Sequence, residues 1–252
     1  MSARPVTLAA ILILAATAAT GEPGKVSKEK ISFKERQRVY FLFVPTGTAP
    51  ERKLPVVVTL HGSGQDAETY VSAWKDLAEK EKILVVGPAS NDSIHWASPE
   101  DGPLLLHDIV EQVSEKRAID GRRVYLFGHS AGAVFALQMA ALEADYFAAA
   151  AAYAGSLEPK YFNIFDYATR KIPYLMVIGT RDRIFSLEEV RATRDGLKSR
   201  GFPVEYVEMS GQTHNYVGSA KEINGKAWEF FQKNPLPADP KYTVYWDPAK
   251  PR

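Results

Sequence analysis

The stretch IDGRRVYLFGHSAG, residues 119–132, decides the fold of this chain. Residues 123–127 read as a buried strand, and residues 131–142, AGAVFALQMAAL, read as an apolar helix. Between them lies Gly128-His129-Ser130-Ala131-Gly132. A serine on a tight strand-to-helix turn needs small residues two positions away on either side, because a Cβ there would strike the folded-back backbone. Such a turn lifts the hydroxyl clear of the sheet, and the N–H of Ala131 then opens the helix facing any negative charge that develops nearby. A serine that merely caps the helix, with incidental glycines beside it, is the plain alternative.

Working outward, short apolar runs alternate with longer segments of helical spacing. Strands are expected at 39–44, 55–60, 83–86, 148–152, 172–178 and 204–207, several apolar throughout and so buried on both faces. Helices are expected at 67–82, 104–119, 187–199 and 220–233. Strands joined through helices imply crossover connections, and hence an α/β architecture with a mostly parallel central sheet flanked by helices on both faces. No internal repeat or linker divides the chain, so a single catalytic domain is expected over 25–234. Residues 234–252, with five prolines, read as an extended tail over the surface or a docking segment for a partner; its Pro-rich part is taken as 235–252.

A neutral serine needs a base within hydrogen-bond reach to act as a nucleophile. Of the five histidines, only His214 follows Ser130, in the loop Gly211-Gln212-Thr213-His214-Asn215 between the last strand and the last helix. The orienting carboxylate belongs between the two, just past a strand end. Asp182 follows Ile178-Gly179-Thr180-Arg181 after the most apolar strand of this half and is the choice; Asp166 is the reserve, and Asp145 and Asp195 fall in or at the ends of helices. A structural Asp182 would instead cap its turn or pair with Arg181 or Arg183. Leu60-His61-Gly62-Ser63-Gly64 supplies the second half of an oxyanion hole, the amide of Ser63 joining that of Ala131. Gly62, His129 and Trp96 are candidates to line the substrate pocket. Tyr161, Phe162, Phe165 and Tyr167 flank that pocket or pack an amphipathic helix; their segment, 156–170, is too short for a large lid.

Composition narrows the partners. Lys plus Arg is 31 and Asp plus Glu is 30, a formal charge of +1, which gives no electrostatic reason to expect nucleic acid or an acidic membrane. With no cysteine, disulfides, thiolate metal sites and cysteine nucleophiles are excluded. Neither phosphate-loop glycine patterns nor H-E-x-x-H is present, so no cofactor and no metal are expected. Residues 6–19 form an apolar run after Arg4, shorter than a bilayer requires, followed by small residues and Gly21-Glu22-Pro23-Gly24. That pattern reads as a signal peptide over 1–20, cleaved near 19–22, and hence as a secreted or periplasmic protein with no lasting membrane insertion; an uncleaved membrane anchor or a buried helix is the plain alternative.

With these elements in order, the chain resembles the α/β-hydrolase superfamily, and within it the feruloyl-esterase and polyhydroxybutyrate-depolymerase-like esterases. The likeness rests on LHGSGQDAETY at 60–70, IDGRRVYLFGHSAG at 119–132 and GTRD at 179–182, and covers roughly residues 37–233. Two features depart from that narrower group: the absence of cysteine, and Ala133 where many of its members have a further glycine. The resemblance implies a serine hydrolase cleaving carboxylic esters through an acyl-enzyme, on a small-molecule or polymer-end substrate. A peptidase or thioesterase of the same fold, or a secreted binding module without catalysis, are the alternative readings.

Overall fold

The structure is a computed structural model that describes residues 22–242; the expected signal segment lies outside the described residues. Among the described residues eight strands form one sheet: β1 Val26–Phe33, β2 Arg36–Phe43, β3 Leu54–Leu60, β4 Leu84–Pro88, β5 Ile119–His129, β6 Ala150–Tyr153, β7 Tyr174–Gly179 and β8 Val204–Met209. Their spatial order is β1-β2-β4-β3-β5-β6-β7-β8. From β4 across to β8 every neighbouring pair is parallel, while β1–β2 and β2–β4 are antiparallel. This is the mostly parallel sheet that the crossover pattern implies.

Every residue of β3, β4, β6 and β7 is buried, which requires cover on both faces. Helices α1 Ala67–Glu81 and α5 Ala220–Lys233 pack on each other over one face. There Tyr125 of β5 stacks on Phe231 of α5, and Phe127 meets Trp74 of α1 edge-on. Side chains alternate along a strand, so Val124 and Leu126 look the other way. Helix α3, Ala131–Leu142, packs on β5 and β6, and a 3₁₀ segment Pro159–Tyr167 bridges it to α4 Leu187–Lys198.

Two expectations are corrected. Strand β1 has no counterpart in the sequence reading. Exposure alternates along its segment VSKEKISF: Glu29, Ile31 and Phe33 are buried while Lys28, Lys30 and Ser32 are exposed, as suits a sheet edge with one face in water. Helix α2, Pro103–Ser114, stops short of the expected 119. The N–H of Ala118 bonds the carbonyl of Pro50, Leu54 bonds Ala118 in turn, and Ile119 pairs with Leu54 to open β5. Sheet hydrogen bonds at that point replace the next helical turn. Of the C-terminal segment, 235–242 is described: its Leu236 is buried, and Tyr242 stacks on His107 with ring centres 3.8 Å apart.

Candidate active site

Ser130, Asp182 and His214 follow β5, β7 and β8 respectively, at the carboxyl edge of the parallel strands, where open α/β sheets gather their ligand-binding loops. The structure brings all three side chains together. His214 Nε2 lies 3.0 Å from Ser130 Oγ, and His214 Nδ1 lies 2.8 Å from Asp182 Oδ2. Asp166, the reserve acid, is elsewhere and pairs with Arg200 on the surface.

Each position has a local cause. Ser130 sits at φ +55° and ψ −121°, a conformation that costs energy in any residue with a Cβ. The turn is tight enough that a Cβ on Gly128 would stand 2.1 Å from the carbonyl oxygen of Gly132, and one on Gly132 would stand 2.1 Å from that of Leu60. Although Ser130 precedes α3, its side chain makes no capping hydrogen bond to the helix. Its hydroxyl faces His214 instead.

Asp182 is buried at its side chain. Oδ1 accepts the N–H groups of Ile184 and Phe185 at 2.8 and 3.0 Å, so the carboxylate does cap its own turn while Oδ2 faces the imidazole. Since a carboxylate accepts at Nδ1, His214 carries its proton there and offers Nε2 as the acceptor for the serine hydroxyl. The acid and histidine loops are pinned together by Arg181 N–H on the Gln212 carbonyl and Gly211 N–H on the Thr180 hydroxyl. Gly179 permits that approach, because a Cβ there would stand 2.3 Å from the Gln212 oxygen.

The peptide between Gly62 and Ser63 is oriented by a residue to which the sequence reading gave no role. His61 Nε2 accepts from the Ser90 N–H at 3.3 Å, leaving Nδ1 to donate to the Gly62 carbonyl at 2.9 Å. Gln65 N–H binds the same carbonyl. In a trans peptide the N–H points opposite to the C=O, so the Ser63 amide is turned away from His61. Ser63 and Ala131 both border the cavity that holds Ser130. Trp96 reinforces the loop by donating its indole N–H to the His61 carbonyl at 2.8 Å.

The cavity measures about 390 Å³, and its walls include Trp96, Phe135, Val134, Ile184 and Phe185, with His95 at its edge. Of the pocket candidates, Trp96 lines it, whereas Gly62 and His129 are buried behind the serine and do not. His129 has a different place. Its Nε2 donates to the carbonyl of His214 at 2.9 Å, so Nδ1 is the acceptor for the Tyr70 hydroxyl, which also meets Gln65. Burial, and the neighbouring His214, push its pKa down to about 4. Tyr153 holds the preceding carbonyl, Thr213, at 2.5 Å. Two buried side chains thus grip the backbone of the histidine loop. The only sequence trace of this is that His129 and Tyr153 end adjacent apolar strands. Phe165 lies in the core against Tyr174 and Phe202, and Phe162 is half-buried; Tyr161 and Tyr167 stand exposed. Among the described residues, no three His, Asp or Glu side chains converge as a metal site would require.

Residues 91–230, more than half of the chain and spanning the serine, the acid and the histidine, match the model of the dienelactone hydrolase family. The chain belongs to the dienelactone hydrolase family. This dienelactone hydrolase family member is 37% identical over 128 residues to poly(3-hydroxyalkanoate) depolymerase C of Paucimonas lemoignei, covering 46% of this chain and 30% of that protein. It is 29% identical over 153 residues to the bifunctional acetylxylan esterase/xylanase XynS20E of Neocallimastix patriciarum, covering 59% of this chain and 22% of that one. The chain therefore spans less than a third of the length of either relative. Among solved structures, the fluorophosphonate-binding serine hydrolase F of Staphylococcus aureus superposes with a TM-score of 0.68 at 16% identity, over 83% of this chain and 99% of that one. At that identity the likeness is one of fold, and it agrees with the α/β-hydrolase architecture expected from the sequence.

Proposed function

We propose that this protein is a serine hydrolase that cleaves carboxylic esters through an acyl-enzyme. The observation that carries the reading is the continuous hydrogen-bonded run from Asp182 through His214 to Ser130, at 2.8 and 3.0 Å, opening onto a cavity. His214 Nε2 takes the proton from Ser130 as its oxygen attacks the ester carbonyl. Asp182 stabilises the imidazolium so formed. The amides of Ser63 and Ala131 receive the negative charge on the former carbonyl oxygen, the second with help from the N-terminal end of α3. His214 returns the proton to the leaving alkoxide oxygen, and the alcohol departs. Water, deprotonated by the same imidazole, then releases the acid and restores Ser130.

The esterase names among the relatives support ester over amide chemistry. The short 3₁₀ segment Pro159–Tyr167, in place of a large lid, supports soluble short-chain or aromatic esters of the kind cleaved by the feruloyl-esterase and depolymerase-like group. The N-terminal apolar run supports action outside the cytoplasm, and N-terminal sequencing of protein recovered from the culture medium or periplasm tests that directly. For the chemistry, Ser130→Ala and His214→Ala are each expected to lower kcat/KM on a short-chain nitrophenyl ester by at least about 10³-fold. A variant that keeps parental activity overturns the mechanism. A panel of matched ester, thioester and amide substrates separates the esterase from the thioesterase and peptidase readings, and labelling by a fluorophosphonate separates all three from a non-catalytic module.

A further inference from the structure

A second cavity, of about 270 Å³, adjoins the one at Ser130. Met139, Leu142 and Ile164 give it apolar walls, and Tyr161, Asn163 and Tyr167 complete its lining. Gln138 borders both cavities. It is partly buried, and its side-chain amide takes no hydrogen bond from the described protein. Helix α3 runs beneath the two: with 1.5 Å of rise per residue, Gln138 lies about 10 Å beyond the Ala131 amide. The second cavity therefore begins about that far from the point of attack.

The distribution of exposed apolar side chains points the same way. Large hydrophobic residues left in water are unremarkable when scattered, and informative when gathered. Among the described residues the exposed ones are Ile94, Tyr161, Tyr167, Ile184 and Val217. Ile94 and Ile184 line the Ser130 cavity, and Tyr161 and Tyr167 line the second. Val217 begins the short turn Val217–Ser219 just after the His214 loop. Four of these five thus lie along one track from Ser130 past Gln138. Lys160 sits 4.8 Å from the centre of the Tyr161 ring. Flat aromatic walls favour flat rings in offset or edge-on contact over flexible chains, which lose more freedom on binding.

We propose that the second cavity is a distal subsite of the same active site, and that it takes a flat apolar ring carried about 10 Å from the scissile carbonyl. This rests on the esterase reading above. The ring enters against Tyr161 and Tyr167, the linking chain passes Gln138, and the Gln138 amide is free to bind a polar group in that link. The subsite makes the protein selective for esters that carry such a ring, on one side of the ester bond, over the corresponding ring-free esters.

The test uses two homologous series: 4-nitrophenyl ω-phenylalkanoates, with the ring on the acyl side, and ω-phenylalkyl acetates, with the ring on the alcohol side. Each is measured against the corresponding simple acetate. In one series kcat/KM is expected to peak, about tenfold or more above the acetate, at the spacer that puts the ring about 10 Å from the carbonyl. Replacing both tyrosines, Tyr161→Ala with Tyr167→Ala, is expected to abolish that peak through KM, while Tyr161→Phe with Tyr167→Phe retains it; thermal melts of all variants check that each is folded. Acetate hydrolysis with no spacer optimum in either series, or an optimum that survives the alanine pair, overturns the subsite and leaves the esterase reading standing. No hydrolysis of any ester, and no fluorophosphonate labelling of Ser130, overturns both. A flat spacer series together with a dimer that the alanine pair dissociates in light scattering also overturns the subsite, making this face a contact between copies of the chain.

Discussion

At the scale of single residues, two buried histidines act on the proposed machinery without facing the cavity. His129 holds the His214 carbonyl, and burial keeps its pKa at about 4, against 6.5 for an exposed histidine. As pH falls, the unfolded chain therefore takes up this proton first. Its contribution to stability is fully present above about pH 7 and lost between pH 6.5 and 4, on the order of 3 kcal/mol in all. His61, whose pKa is lowered chiefly by burial, adds to the loss in the same direction. Urea titrations at pH 7.5, 6 and 5 are expected to show a falling midpoint, and His129→Gln to flatten part of that fall. His61 bears on catalysis differently, because it sets the direction of the Ser63 amide. His61→Phe is expected to lower kcat by about 10- to 100-fold, less than or near the effect of losing one oxyanion donor, with KM changed far less; steady-state kinetics on a nitrophenyl ester separates the two parameters.

At the scale of elements, the wall of the cavity depends on an ion pair distant in sequence. Asp101 is fully buried and meets Arg38 of β2 at 2.5 Å. It also accepts the N–H groups of Asn91 and Ala97, while Arg38 reaches the carbonyls of Ala89 and Glu100. Together they fix the loop 89–101, which carries Ile94, His95 and Trp96 to the cavity. Removing one partner strands the other as a buried charge, so Asp101→Ala is expected to cost about 3–5 kcal/mol. Arg38→Met added to it is expected to recover part of that loss in denaturant titrations. The turn at Ser130 has similar leverage. Gly155 packs over it, with a Cβ placed there only 2.6 Å from the Ala133 Cβ. The extra methyl that Ala133 brings, relative to a glycine, is thus accommodated by a glycine opposite.

At the scale of the whole molecule, the parallel core from β4 to β8 carries the site, and the antiparallel pair β1–β2 closes one side of the sheet. Deleting the chain up to residue 35 removes Ile31 and Phe33 from the core and bares the long edge of β2. Burial of two such side chains is worth roughly 3–6 kcal/mol, so the truncated protein is expected to melt markedly lower and to aggregate through the exposed edge. Scanning calorimetry and light scattering read both effects.

Much of this was legible in the chain because it is written locally. Almost wholly apolar runs such as 55–60 and 172–178 mark doubly buried strands; of the described helices, α1, α2, α4 and α5 followed from spacing, with the end of α2 placed too late, and α3 followed from its apolar character. The glycines flanking Ser130 record a backbone too tight for a Cβ, and elimination by order along the chain singled out His214. Strand β1 escaped because an edge strand with one wet face keeps its charges. The direction of the Ser63 amide, the grip of His129 and Tyr153 on the histidine loop, the Arg38–Asp101 pair and the second cavity had no local signature. Each depends on groups tens of residues apart meeting in space. The sequence by itself determined most of the segments that become strands and helices, and it named the side chains proposed to react. Tertiary structure alone decided how those side chains are aimed, because hydrogen-bond direction and cavity shape exist only once distant backbone has closed around them.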